Sequence, residues 1–259
     1  MQAGSGWTRE QLLIAFKLYS ELPFGRMHSR NAEIVKYAEL IGRSPSALAM
    51  KLTNIASLDP IIRDSGRTGL VGASANDRAM WDEMQSNWEE FAKEIEIAQN
   101  AFIDSEEGSK QVLESDEDET TADYTGHDRS VQTTARVGQN FFRRAVLSAY
   151  DSKCCISGLS ERKLLVASHI VPWRIDPTNR LNPRNGLCLS ILHDRAFDLG
   201  IITIDKNMTV RISKRFSEKK DAFFNKTIVS FAGSAIALPE KFAPTIELLE
   251  YHRQYIFEG

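Results

Sequence analysis

The sequence predicts an α+β protein in two folded parts, a helical domain over residues 1–103 and a mixed helix-and-strand domain over 131–259, joined by an acidic flexible linker over 104–130. Three observations carry that prediction. Apolar residues in the first hundred positions recur at steps of three and four behind good caps, which is the spacing of amphipathic helices. Between Leu164 and Gly200 the pattern changes to short apolar runs broken by proline and Asn-Gly, which reads as strand, loop, strand and helix. The stretch between the two parts is acidic, rich in Ser and Thr and short of large apolar side chains. It cannot bury enough surface to offset the entropy of ordering.

In chain order, Thr8 opens the first helix with Gln11 placed for a capping box, and Leu12, Leu13, Phe16 and Tyr19 fall on one side. Pro23 and Gly25 end it. A second helix starts near Asn31 with Ile34, Val35, Ala38 and Ile41 inward, and Gly42 stops it. Ser44 caps a third helix that begins at Pro45 and turns Leu48, Leu52 and Ile55 inward. Two short helices on a glycine turn resemble a helix-turn-helix, in which the third helix would offer Ser46, Lys51, Thr53 and Asn54 to the major groove. A helical protein-interaction module fits the same residues. One long helix is expected from Ala75 to Phe102, because Trp81, Met84, Trp88, Phe91, Ile95, Ala98 and Phe102 form a heptad seam. That seam packs either on the preceding helices or on a second copy in a homodimer.

The second part opens with a helix marked by Phe141, Phe142, Ala145, Val146, Ala149 and Tyr150. Arg143 and Arg144 are adjacent on it, so at most one faces any site below. On the first strand His169 points away from Ser168 and Ile170. Pro172 and Pro177 then forbid a long regular element, and Asn185-Gly186 leads into the apolar run Leu187 to Leu189. Leu192, Ala196 and Leu199 give the next segment a helical period, with Asp194 and Asp198 four apart on one face and His193 at its border. Carboxylates and imidazole so close repel one another, or stay partly protonated, unless a cation lies between them. Mg2+ or Mn2+ suits such oxygen-rich ligands. Residues 201–204 and 208–212 read as a hairpin about Asp205-Lys206-Asn207. A closing helix through Leu248, Leu249, Tyr251 and Tyr255 buttresses the core, with His252 structural.

His-Ile-Val-Pro-Trp (169–173), Asn-Gly-Leu (185–187) and His-Asp-Arg-Ala-Phe-Asp (193–198), in that order, resemble the HNH nuclease family, over roughly residues 136–257. Each motif has a bland reading alone: a satisfied histidine, a turn, a residue complementing a helix dipole. The resemblance implies a ββα-metal domain that hydrolyses DNA phosphodiesters with one divalent ion. It implies His169 as general base and Asn185 as the brace of the loop. The family's last histidine, a metal ligand, falls on Asp194 here, with His193 just before it, so either residue or both would bind the ion. Many relatives carry Asp or His where this chain has Ser168, and Asp198 would supply the missing carboxylate. Arg143 is expected to clamp the scissile phosphate, with Arg174 and Arg144 as further DNA contacts beside Lys51 and Asn54. The resemblance also implies bacterial restriction or phage defence, with a defence-system partner protein. The competing reading is a non-catalytic DNA-binding or regulatory protein on a degenerate HNH fold.

The charge distribution fits a nucleic-acid partner. The chain of 259 residues carries a net charge of −3, but nine acidic residues between Asp104 and Asp123 face only Lys110. Residues 136–215 hold fourteen Lys/Arg against six Asp/Glu. A surplus of that kind binds phosphates with counterion release. No apolar run approaches a membrane span, and the first residues lack a signal-peptide core, so a cytoplasmic protein is expected. Cys154, Cys155 and Cys188 form no Cys-x-x-Cys pair, which argues against a disulfide framework or a four-cysteine zinc site and for buried thiols.

Overall fold

A computed structural model describes residues 6–64, 66, 72–105, 129–217 and 221–259. Most of the acidic linker expected at 104–130 therefore lies outside the described residues. The chain begins with α1 (Arg9–Glu21), whose N-cap Thr8 and Gln11 form the reciprocal capping box that the spacing predicts. Every residue from Leu12 to Ser20 is buried, so α1 is covered on all sides rather than along one stripe. Of the helices that follow, α3 (Pro45–Ala56) packs on it and α2 (Ala32–Leu40) packs on α3, with the single-turn α4 (Pro60–Asp64) next in the chain. Asn31 and Ser44 cap α2 and α3, and Gly42 takes the positive φ of +66° between them. Val35, expected inward, is 41% exposed; Tyr37 and Leu40 take that face of α2.

The long helix expected from Ala75 to Phe102 is two. The helices α5 (Ala75–Ser86) and α6 (Trp88–Ser105) meet at Asn87, whose φ of −152° and ψ of 87° break the helix. The break lets the seam turn inward: Trp81, Met84, Trp88, Phe91, Ile95 and Ala98 are all buried within the chain. Phe91 sets its ring edge against Phe16 of α1 at 5.7 Å, and Tyr19 does the same to Trp81 at 5.9 Å. Of the two packings the seam allows, the structure shows the one on the chain's own core.

After α7 (Arg129–Ala149) come β1 (Leu165–His169), β2 (Gly186–Ser190) and α8 (Ile191–Asp198). The strands β1 and β2 are antiparallel, with Ser168 opposite Leu187 and His169 opposite Gly186. Gly186 is required by a close approach: a Cβ there would lie 2.4 Å from Val146 and 3.0 Å from Phe142, both on α7. A second antiparallel pair, β3 (Ile202–Ile204) and β4 (Val210–Ile212), forms the predicted hairpin. The short α9 (Lys214–Ser217) and α10 (Ala222–Thr227) follow, and α11 (Ile246–Tyr255) closes the chain against β3.

The helical part and the mixed part share one core. Both α1 and α6 pack on α7, and Trp88 approaches Phe141 at 6.4 Å and Phe242 at 5.5 Å. Lys241, in the segment before α11, is fully buried and donates from Nζ to the backbone carbonyls of Tyr19 and Leu22 (2.7 Å to Leu22), capping the C-terminal end of α1. The three cysteines are free and buried, as expected, and no described helix is long and apolar enough to cross a membrane. The fold is α+β: helices around α1 and α7, with two small antiparallel sheets among the described residues.

Candidate active site

His169 ends β1. Its ring stacks on Phe142 of α7 at 4.0 Å with an 8° interplanar angle, and the edge of Trp173 meets it at 5.5 Å. His169 Nε2 lies 2.9 Å from the carbonyl oxygen of Arg180. A carbonyl only accepts, so Nε2 carries the proton and the neutral ring keeps its lone pair on Nδ1. Burial lowers the His169 pKa, against a smaller upward pull from the Arg180 carbonyl. The ring is accordingly neutral at pH 7 and able to accept a proton.

Asn185 is fully buried and ties the intervening loop to the strands. Its Nδ2 donates to Val171 O (3.0 Å) and Asn179 O (3.3 Å), and its Oδ1 accepts from Val171 N (2.8 Å). Ile170 N also donates to Asn185 O at 2.9 Å. One side chain thus bonds both flanks of the loop that carries Arg180, as the resemblance implies for this position.

On α8, Asp194 is half-buried and faces β1. Burial raises its pKa, while the Ser168 hydroxyl and the Arg195 charge pull it back down. Asp198, one turn on, opens to solvent at its tip, yet its carboxyl is pushed up to about 6, first by the protein around it and then by the charge of Asp194. Among the described residues neither carboxylate has an ion pair. Ser168 Oγ is buried without a well-formed hydrogen bond. Two half-buried carboxylates with no direct ion pair among the described residues, offset only by the charge of Arg195 nearby, and a serine hydroxyl beside them fit a small hard cation that keeps several waters. The described residues hold no cluster of three or more His, Cys, Asp or Glu, so a cage made only of those side chains does not form there. His169 follows Ser168 directly, about 3.8 Å away along the backbone.

Several expected residues lie elsewhere. His193 is 3% exposed and turned into the interior: Nε2 donates to Thr227 O (2.9 Å), and Nδ1 lies 2.9 Å from Ser190 Oγ and 3.5 Å from Cys154 Sγ. With both nitrogens engaged it has no lone pair for an ion, so it holds α8 to its surroundings. Arg143 is tied to the far end of β1, with Nη1 donating to Leu165 O at 2.8 Å. Four residues of strand put that carbonyl roughly 13 Å from His169, so Arg143 does not clamp a phosphate at the base. Arg144 lies 3.6 Å from Glu21 of α1. Lys51 is buried, with Nζ 2.9 and 3.0 Å from the two oxygens of Asp77 and over the Trp7 ring, and so is not offered to DNA. Asn54 lies against Gly72, and Arg43 is engaged by Gln11, Gly6 O and the Trp7 ring. Of the proposed DNA contacts, Arg174 is exposed beside Trp173 and has no ion pair among the described residues. His252 is structural, as expected: it stacks on Phe197 at 3.6 Å, with Nδ1 2.8 Å from Thr203 Oγ1 and Nε2 3.1 Å from Phe197 O.

Sequence reasoning missed Arg180 and Phe142. Arg180 acts through its backbone carbonyl, which no residue type announces, and Phe142 looks in sequence like any core aromatic. Comparison with curated proteins finds no match to this chain. Residues 154–205, which span β1, the loop, β2, α8 and the start of the following hairpin, match the HNH endonuclease family, so that this segment is similar to it.

Proposed function

We propose that this protein is a metal-dependent DNA endonuclease, with restriction or phage defence as its setting by resemblance. What supports the chemistry is a neutral, tautomer-fixed histidine at the end of β1 and, on the α8 helix that packs on that strand, two acidic side chains with no direct ion pair among the described residues. His169 Nδ1 takes a proton from water as the water oxygen attacks phosphorus in line with the 3′ oxygen. The P–O3′ bond breaks, the 3′ oxygen leaves and is protonated by solvent, and the products carry a 5′ phosphate and a 3′ hydroxyl. A Mg2+ or Mn2+ ion held by Asp194 and Asp198, with Ser168 beside them, would supply charge stabilisation at the phosphate and the leaving oxygen. Asn185 and the Arg180 carbonyl keep the imidazole in one orientation. Arg174 is the exposed cation closest in sequence to the base and meets the DNA backbone, on a domain whose charge balance is basic.

The test is cleavage of plasmid DNA by the purified chain with Mg2+, with Mn2+ and with EDTA. Metal-dependent nicking or linearisation that is lost in His169→Ala, with DNA binding retained, is the expected result. A second reading, an HNH fold kept for DNA binding alone, is favoured by Ser168 at a ligand position. DNA binding without cleavage under any of these ions selects it.

A further inference from the structure

The carbonyl that fixes His169 belongs to Arg180, and the Arg180 side chain is held from outside the HNH segment. Its Nε donates to Pro177 O at 3.0 Å, and its guanidinium lies over the Trp173 ring at 5.4 Å. The same Nε is 3.4 Å from Glu89 Oε2. Glu89 is the second residue of α6, directly after the helix break at Asn87. Trp173 in turn sets its edge against His169. Arg180 therefore reaches the imidazole twice, through its own carbonyl and through the indole, while its guanidinium is anchored by a carboxylate of the helical part.

We propose that Glu89 is a positioning residue for the HNH site, acting through Arg180 to keep His169 in its Nε2–H tautomer with Nδ1 open. This rests on the endonuclease reading above. It gives the helical part a role in the chemistry that needs no DNA contact by α3. Both partners are partly exposed, with side-chain exposures of 28% for Arg180 and 36% for Glu89, so their pair contributes little to stability. Its removal should show in catalysis rather than in folding.

The experiment uses the full chain. Glu89→Gln should lower kcat for DNA cleavage by roughly 3- to 30-fold, the range of coupling carried through such contacts, with KM and Tm unchanged. Arg180→Gln should do the same, and the double variant should be no slower than either single one. The exchanged pair, Glu89→Arg with Arg180→Glu, should recover most of the rate. Lys93→Gln removes the other cation beside Glu89, at 3.3 Å, and should leave kcat unchanged. Wild-type kcat in Glu89→Gln, or additive losses in the double variant, overturns the proposal. A second readout needs no cleavage: 15N-detected NMR of the imidazole should show the Nε2–H form in the wild type and a mixture of tautomers in Glu89→Gln. If the wild type fails to cleave DNA, the endonuclease reading falls, and this spectrum alone decides the positioning. A mixture supports it, and an unchanged Nε2–H signal overturns it.

Discussion

Buried charge is handled in opposite ways in the two halves of this molecule. In the helical part three embedded charges each have an internal partner: Lys51 with Asp77, Lys17 with Glu21 at 2.6 Å, and Asp59 accepting from the Tyr19 hydroxyl at 2.8 Å. On α8, Asp194 and Asp198 have no direct ion pair among the described residues and feel Arg195 only at longer range, and the nearby Ser168 hydroxyl is left without a well-formed bond. A desolvated charge with a partner is a structural tie. A desolvated charge without one raises the energy of the empty site and is compensated when a ligand of opposite sign arrives. That contrast separates Lys51, chosen for DNA by its position on a helix, from Asp194, chosen for a cation by its motif.

The contrast breaks most visibly in activity. His169→Ala and Asp194→Asn should each reduce metal-dependent cleavage by about 10²–10⁴-fold, measured as initial plasmid nicking rates at saturating Mg2+, with folding unimpaired. In the paired half the effect is on stability instead. Lys51→Met leaves the buried Asp77 without its cation, held still by Ser74 N at 2.8 Å, and should cost about 3–5 kcal/mol in urea unfolding, whereas the double change Lys51→Met with Asp77→Leu should recover much of it, less the lost helix cap. Equal losses in the single and double variants would remove Lys51–Asp77 from the class of structural ties.

His252 offers a third case, a buried imidazole kept neutral. Burial lowers its pKa to about 4, with a smaller upward pull from the Phe197 carbonyl. The unfolded chain takes up its proton near pH 6.5 and the folded chain only near 4, so the unfolded state binds more protons in between. Stability should therefore fall by roughly 3 kcal/mol as pH drops from about 6.5 to about 4, and His252→Phe should flatten that slope of the urea midpoints. The smallest effect is the most diagnostic. Asp194→Asn with Asp198→Asn relieves like charges four apart on one helix and should raise metal-free stability by about 0.5 kcal/mol while abolishing any Mg2+-induced rise in Tm. A large loss of metal-free stability there would mean that the two carboxylates hold the fold rather than an ion.

Much of the fold was legible because local signals and global packing agree. Thr8, Asn31 and Ser44 are helix caps in sequence and in structure, since capping is decided within four residues. The strand–loop–strand–helix order around His169 was equally readable, because Asn185-Gly186 and the two prolines restrict the backbone locally. The helix break at Asn87 was not: the seam continues through it in unbroken heptads, and the bend answers to the space between α1 and α7.

Sequence by itself determined the element order, the HNH motif and the residue types the chemistry draws on, because periodicity, caps and turns are short-range properties. Tertiary structure decided which of those residues meet. His193 and Asp194 are neighbours in the chain, but consecutive residues on a helix point about 100° apart, so one lines the interior and the other the strand. Lys51 and Asp77, and Glu89 and Arg180, are far apart in sequence, and only the packing of helices onto one another brings each pair within reach. Whether a charge ends as a tie or as a ligand depends on what the rest of the chain places opposite it.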